Sequence, residues 1–335
     1  MLARERQLAL VALAARAPSP HNIQPALWRF DGDTVELWED TGRWLAVGDP
    51  TGRDNRIALG MAWEGMAMAL SSQDLALRLD TSIALDYPPP KLGHRRVAGG
   101  VLRNIVARDA LLPALKRRAS YRGRFAQARS AQLETLASCI VEHASLAVAL
   151  PATALPLVAL WQDLATVEGL KDSTFTRELH DWMRFSSRDP RWERDGLSAD
   201  CLTLSKFEAW SAAFALRPAI MKILSAFSLT RFFVSEAEEI KSAARIALIH
   251  QPAGGDAFAT GRAWYRFWLA LDLVDMSGVP MSALSDSPAY AHKLLAAYPL
   301  PTGRQLVNVM RLGPKPARVI ARSARLPADE LLLDG

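Results

Sequence analysis

Cysteine is scarce. The 335 residues hold two, Cys139 and Cys201, with no Cys-x-x-Cys pair and no Cys/His cluster. That excludes a disulfide framework and a thiolate metal site as the basis of the fold, and it makes a reducing, cytoplasmic compartment the default expectation. Long apolar runs are missing too. The longest, residues 145–161, is interrupted by Pro151 and Pro156 and falls short of the ~20 residues a spanning helix needs. We read it as buried loop and strand and expect no membrane partner. Residues 1–16 carry Arg4, Glu5 and Arg6 before a short apolar stretch and no cleavage pattern, which argues against a secretory leader. No block of five or six like charges marks a tail. With neither zinc spacing nor an RNP-type strand, nucleic acid is not an expected partner.

What is present is ordinary globular material, 50% hydrophobic and 22% charged. The length suits two domains, or one large unit made of two similar halves. The net charge of +5 and pI near 9.4 come mostly from arginines spread along the chain. Such an excess fits a generic basic surface and equally a phosphate-bearing small molecule.

Apolar periodicity predicts a helix over 2–16, with Leu8, Val11, Ala12 and Ala15 on one face, stopped by Ala17-Pro18-Ser19-Pro20. Residues 27–30 and 35–38 read as a hairpin turning at Asp31-Gly32-Asp33. A helix over 53–71, with Asp49 or Thr51 as its cap, and a strand over 97–106 complete a first set. Helices are then expected over 110–118, 131–144, 176–184, 236–250 and 258–276, the last ended by Gly278 and Pro280. Residues 188–235 read as irregular and rich in Trp and Phe, and 306–312 as a strand. Gly60-Met61-Ala62-Trp63 in one long helix is matched by Gly261-Arg262-Ala263-Trp264 in the other, and Ala69-Leu70 by Ala270-Leu271 at the same spacing. Matched positions of this kind point to a duplicated unit packed as an internal pseudo-dimer.

Four segments carry candidate chemistry. Residues 17–25 form a proline-flanked polar loop that presents Ser19, His21, Asn22 and Gln24 with little backbone freedom. It suits the edge of a planar heterocycle, or is a plain helix-to-strand connection. Residues 117–124 hold four arginines, with Ser120 between Arg118 and Arg122. In a turn these converge on one anion, since guanidinium forks bind phosphate oxygens bidentately; the bland alternative is a solvated basic linker. Arg318, Arg322 and Arg325 precede Leu326-Pro327. Finally, 278–283 (Gly-Val-Pro-Met-Ser-Ala) is expected to be a tight loop offering backbone groups to a ligand.

Taken together these segments resemble the nitroreductase family of flavoproteins, and most closely its long, internally duplicated, Acg-like branch. Arg118, Ser120 and Arg122 match an Arg-x-Ser-x-Arg segment. Pro18, Ser19, Asn22, Gln24 and Pro25 match a Pro-Ser-x-x-Asn-x-Gln-Pro loop. Arg325 matches a basic residue before Leu-Pro, and Asp49, Pro50, Gly52 and Arg53 match an Asp-Pro-x-Gly-Arg segment. The resemblance implies an α+β, nitroreductase-like fold of two fused halves, 1–110 and 111–335, with antiparallel-rich sheets flanked by helices and a lid-like insertion near 182–235. It also implies one FMN per chain, bound across the halves. Arg118, Ser120, Arg122 and Arg325 would hold its phosphate and ribityl end, and Arg322 would be a further cofactor-binding residue. Ser19, His21, Asn22 and Gln24 would come from the other half, and Pro280, Met281 and Ser282 would lie along the ring. NADH or NADPH would donate a hydride to flavin N5 for delivery to a small nitroaromatic or quinone-like acceptor, by a monomer or a homodimer, with no protein acid or base. Ser282 and Ala283 stand where typical members have Glu-Gly. Two alternatives remain on the same scaffold: a protein that sequesters an occluded flavin, and a flavin-dependent desaturase.

Overall fold

The computed structural model describes residues 2–105, 107–317 and 324–334. Helix α1 (Arg4–Ala14) leads to the hairpin of β1 (Ala26–Asp31) and β2 (Thr34–Asp40), then to α2 (Arg53–Ser71), β3 (Leu75–Ser82) and β4 (His94–Asn104). The strands form an antiparallel sheet in the order β1-β2-β4-β3. After α3 (Leu112–Arg117) come α4 (Ser130–Glu142), β5 (Ala147–Ala149), α5 (Leu155–Gly169) and α6 (Ser173–Trp182). A short parallel pair follows, β6 (Met183–Arg184) with β7 (Leu197–Ser198), and then α7 (Lys206–Ala215), α8 (Pro218–Ala226), α9 (Arg231–Val234) and α10 (Ala237–Lys241). The chain closes with β8 (Arg245–Pro252), α11 (Ala257–Leu273), β9 (Ser277–Pro280), α12 (Ser282–Asp286), α13 (Pro288–Ala297) and β10 (Arg304–Gly313). The second antiparallel sheet runs β5-β8-β10-β9. Matching β1, β2, β3 and β4 to β5, β8, β9 and β10 reproduces the first order, and in each sheet the long helix precedes the third strand. The fold is α+β with antiparallel sheets, as expected.

The two long helices pack on one another at the centre. Fifteen of the 19 residues of α2 are buried, the mark of a helix surrounded by protein. Their contact is reciprocal. A Cβ on Gly60 would fall well inside van der Waals distance of the Phe258 carbonyl oxygen, and a Cβ on Gly261 would meet the Ile57 carbonyl in the same way. Each glycine thus receives the backbone of the residue three positions before its counterpart. Trp63 packs on Phe258 with ring centroids 6.3 Å apart. At the polar edge Glu64 accepts from Arg262 at 2.8 Å and Arg266 at 2.9 Å, and Arg266 also reaches Asp109 at 2.7 Å.

Several expectations are corrected. Residues 236–250 are not one helix: α10 stops at Lys241 and Arg245–Pro252 is a central strand with six consecutive buried residues. A short, continuously apolar run carries no period that separates buried strand from buried helix. Residues 155–161 belong to helix α5, because Pro156 sits in its first turn, where the missing N–H costs nothing. Within 188–235, α7 is capped by a Ser205/Glu208 box and α8 starts on Pro218. Residues 277–280 are an edge strand rather than a loop, and β3 was not foreseen.

Gly60→Ala and Gly261→Ala are each expected to cost about 1–3 kcal/mol in unfolding free energy by denaturant titration, from overpacking between backbones. Gly169→Ala, whose added Cβ meets only ordinary contacts with Phe175, should be close to neutral.

Candidate functional site

The loop after α1 is shaped by its prolines and by three left-handed residues, His21 (φ 46°), Asn22 (φ 57°) and Gln24 (φ 51°). Such conformations are uncommon outside glycine and persist only where surroundings hold them. Here Ser19 Oγ accepts from Gln24 N at 2.9 Å. Gln24 Nε2 donates to Arg194 O at 2.8 Å, while its Oε1 accepts from Leu326 N at 2.9 Å. Asn22 Nδ2 donates to Ala324 O at 3.1 Å and Gly196 O at 3.3 Å. The loop therefore ties together two segments some 170 and 300 residues away.

Beside it lies a cleft of about 440 Å3, counting space open to solvent. Pro18, Ser19 and Asn22 form one wall, and Arg118, Ser120 and Arg122 another. Gly196–Ser198 with Cys201 cover it, and Ala324–Arg325 close it. Arg118 is 3% exposed. Its Nη2 donates to Arg16 O at 3.0 Å, and its guanidinium lies 4.9 Å over the Trp268 ring, yet Nε and Nη1 have no hydrogen-bond partner among the described residues. Arg325 donates to Asn22 Oδ1 at 3.0 Å and to the same Arg16 carbonyl at 3.1 Å. Arg122 Nη1 contacts Cys201 Sγ at 2.9 Å.

Positive charge dominates this cleft. Among the described residues no carboxylate pairs with Arg16, Arg118 or Arg122, and the nearby Asp272 pairs with Arg117 instead. Burial, and then the neighbouring Arg118 and Arg16, push Arg325 down to about 9. Burial lowers Arg118 likewise. The carbonyl of Arg16, just past the C-terminus of α1, supplies partial negative charge to two guanidiniums. A carbonyl cannot neutralise them. Buried donors left unpaired cost about 1–3 kcal/mol each, more when charged.

The structure brings together Ser19, Asn22, Arg118, Ser120, Arg122 and Arg325 from the residues singled out in the sequence. Gln24 lines an adjoining, mostly apolar hollow with Ala14, Ala58 and Ala62. His21 is not in the lining of either. Arg322 and Arg318 lie outside the described residues. Pro280, Met281 and Ser282 are elsewhere: Pro280 pairs with Met310 in the sheet, Met281 N donates to Val309 O at 2.7 Å, and Ser282 Oγ accepts from Asn308 Nδ2 at 3.0 Å. An edge strand can hold Pro280 because one side of its backbone needs no donor. Sequence reasoning missed Arg16, Gly196, Leu197, Ser198 and Cys201. Arg16 had a signal, as a basic residue directly before the polar loop. The 196–201 segment had none, since it reaches the cleft only through tertiary packing.

That covering segment is anchored. Asp195 accepts from fully buried Arg184 at 2.7 Å and from Arg43 at 3.1 Å, and Arg43 also donates to Ile23 O. Gly196 (φ 76°) has no room for a side chain between the Trp182 carbonyl and the Arg184 guanidinium.

No family model matches the chain. Over 82 residues, 24% of its length, it is 33% identical to two Mycobacterium tuberculosis proteins, from strains CDC 1551 / Oshkosh and H37Rv, each named a putative NAD(P)H nitroreductase. The match spans 22% of either relative, about a fifth of its length. Similarity to NAD(P)H nitroreductases, expected from the motifs, is thereby found in that stretch. Among solved structures, the FMN and NADPH-dependent nitroreductase NfnB from sphigopyxis sp. strain HMH aligns at 16% identity over 68% of this chain and 98% of that one, with a TM-score of 0.36. NfnB from Mycobacterium smegmatis, solved with NADPH, aligns at 15% over 65% and 94%, with a TM-score of 0.38. Those scores are too low for a shared fold to rest on them.

Burial, reinforced by Arg122, pushes the His21 imidazole down to about 4, and its Nδ1 is buried without a partner among the described residues. A lowered folded-state pKa means stability that is full above about 6.5 and is lost as pH falls through about 4. Asp49 works the other way: burial and then Asp54 push it up to about 7, so its contribution declines as pH rises through that value. Comparing His21→Asn, which tolerates the left-handed backbone, with the parent isolates the first effect. Thermal melts should show the variant losing less stability between pH 6.5 and 4.

Proposed function

We propose that this chain is an FMN-dependent oxidoreductase of the nitroreductase type, using NADH or NADPH, with one flavin site built across two fused halves. The observation that carries the reading is Arg118, a buried guanidinium whose Nε and Nη1 meet no acceptor among the described residues, in a cleft containing Arg122, Arg325 and Ser120. A flavin mononucleotide phosphate brings about two negative charges and three acceptor oxygens, which is what these donors lack. The similarity to named NAD(P)H nitroreductases supports the same assignment. FMN when bound would accept a hydride from a nicotinamide and return the electrons to a small acceptor; that chemistry belongs to the cofactor.

The chain's own residues bind and orient. Arg118 and Arg122 would take phosphate oxygens, with Ser120 as a further donor. Arg325 would add charge while Asn22 Oδ1 holds its guanidinium in place. Occupancy would draw Arg122 away from Cys201. The cover formed by 194–201 would restrict water, and Asp195 fixes its position between Arg184 and Arg43.

The same cover favours a second reading, a protein that keeps an occluded flavin with little turnover, because backbone and side-chain hydrogen bonds from Asn22 and Gln24 hold it down. Anaerobic addition of NADPH to the flavin-loaded protein separates the two. Bleaching supports the oxidoreductase, and a flavin that stays oxidised supports the occluded form.

For cofactor binding the decisive variant is Arg118→Met. Removing a buried unpaired charge should leave the flavin-free protein as stable or more stable, while FMN affinity by equilibrium dialysis falls about 10- to 100-fold, the worth of one or two charged hydrogen bonds. Parent protein that takes up no FMN would overturn the reading. Asp195→Asn should speed flavin exchange at unchanged stoichiometry, measured by dilution into apo-flavodoxin as a trap.

A further inference from the structure

Helices α7 and α8 are amphipathic in the inverted sense. Ala209 and Ala215 of α7 and Met221 of α8 face the protein, while the large apolar side chains face out. Phe207, Trp210 and Phe214 lie at i, i+3 and i+7 on one face of α7; Ile223 lies on α8 and Phe227, four residues on, caps its C-terminus. Phe207 is 74% exposed, Trp210 67%, Phe227 72% and Phe232 of α9 82%. Seven of the 13 large exposed hydrophobic residues among the described ones, and all of the exposed Phe and Trp, fall between 207 and 232. Single exposed apolar side chains need no account, but seven large ones gathered on and beside three neighbouring helices mark a contact surface.

The charges beside the patch indicate what covers it. Lys206, Arg217, Lys222 and Arg231 stand among these residues against one acid, Glu208, which is occupied in capping α7. Arg217 lies 5.8 Å over the Phe214 ring, and Arg231 comes 3.8 Å from Asp163. Lys206 and Lys222 are exposed and pair with no carboxylate among the described residues. A second copy of this chain, docked on the same face about a two-fold axis, would set these cations against their own images. An anionic surface would meet them with the opposite sign.

We infer that α7–α9 form a peripheral membrane-docking face for anionic lipid. Its aromatic side chains enter the headgroup boundary, and Lys206, Lys222 and Arg217 contact the acidic headgroups. Helices that combine Trp, Phe and Leu on one side with Lys and Arg lie in this way in the interface plane. No helix among the described residues is long and apolar enough to cross a membrane, so attachment is to the surface. The inference revises the expectation of no membrane partner and stands independently of the flavin assignment.

The test is co-sedimentation of the full chain with vesicles of phosphatidylglycerol and phosphatidylcholine at equal parts, and with phosphatidylcholine alone. Binding is expected to the first, weakened by raised salt, and to be at least tenfold weaker to the second. Lys206→Ala and Lys222→Ala should each lower the partition about fivefold. The double variant Phe207→Ser/Trp210→Ser should lower it more than tenfold at an unchanged melting temperature, since both side chains are exposed. Protein that stays in the supernatant with acidic vesicles overturns the inference. So does a concentration-dependent dimer in analytical ultracentrifugation that Phe207→Ser/Trp210→Ser abolishes, which would assign the face to self-association.

Discussion

The close approach of α2 and α11 is the constraint on which the remaining architecture depends. Two glycines, Gly60 and Gly261, let each helix rest on the other's backbone. Protein interiors are packed too tightly for either contact to survive an added methyl group without movement. Because the contact is reciprocal, it relates the two four-stranded sheets, and with them the loop after α1 and the arginine segment after α3. Glu64, Arg262, Arg266 and Asp109 add a charged seam along the same junction. That seam is partly exposed, so its role is alignment more than stability.

The cleft is a consequence of that arrangement. It gathers four stretches of chain: the polar loop, the arginine segment, the cover and the C-terminal Ala324–Arg325. The Arg118 guanidinium is held by the Arg16 carbonyl oxygen and the Trp268 face, with no carboxylate paired to it among the described residues. A fold optimised for stability alone would pair such charges or replace them with apolar groups. A buried Arg118 with two nitrogens lacking an acceptor among the described residues fits the proposal of an anion that arrives from solution. The left-handed residues of the loop belong to the same logic, with strain held at the site by hydrogen bonds to distant segments.

Much was legible in the sequence where a residue type has a local mechanism. The helix over 53–71 was recovered to the residue, and the hairpin at Asp31-Gly32-Asp33 was readable from its turn. The spacing of Arg118, Ser120 and Arg122 marked a candidate anion clamp. Errors fell where periodicity is silent or where proline has two meanings. Residues 246–249 are continuously apolar because both faces of a central strand are covered, a pattern shared with a buried helix. Pro156 opens a helix where buried loop and strand were expected. Residues 280–282, placed at a ligand by resemblance, do not line the cleft; Pro280 pairs with Met310 at the sheet edge.

By itself, then, the sequence determined the α+β class, the two matched long helices and the cationic character of the site, since propensity, turn chemistry and charge act over a few residues at a time. Only the tertiary structure decided which arginines lose their solvent, that 196–201 covers them, and that the aromatic residues of 207–232 point outward. Burial is a property of what packs against a side chain, and residues hundreds of positions apart settle it together.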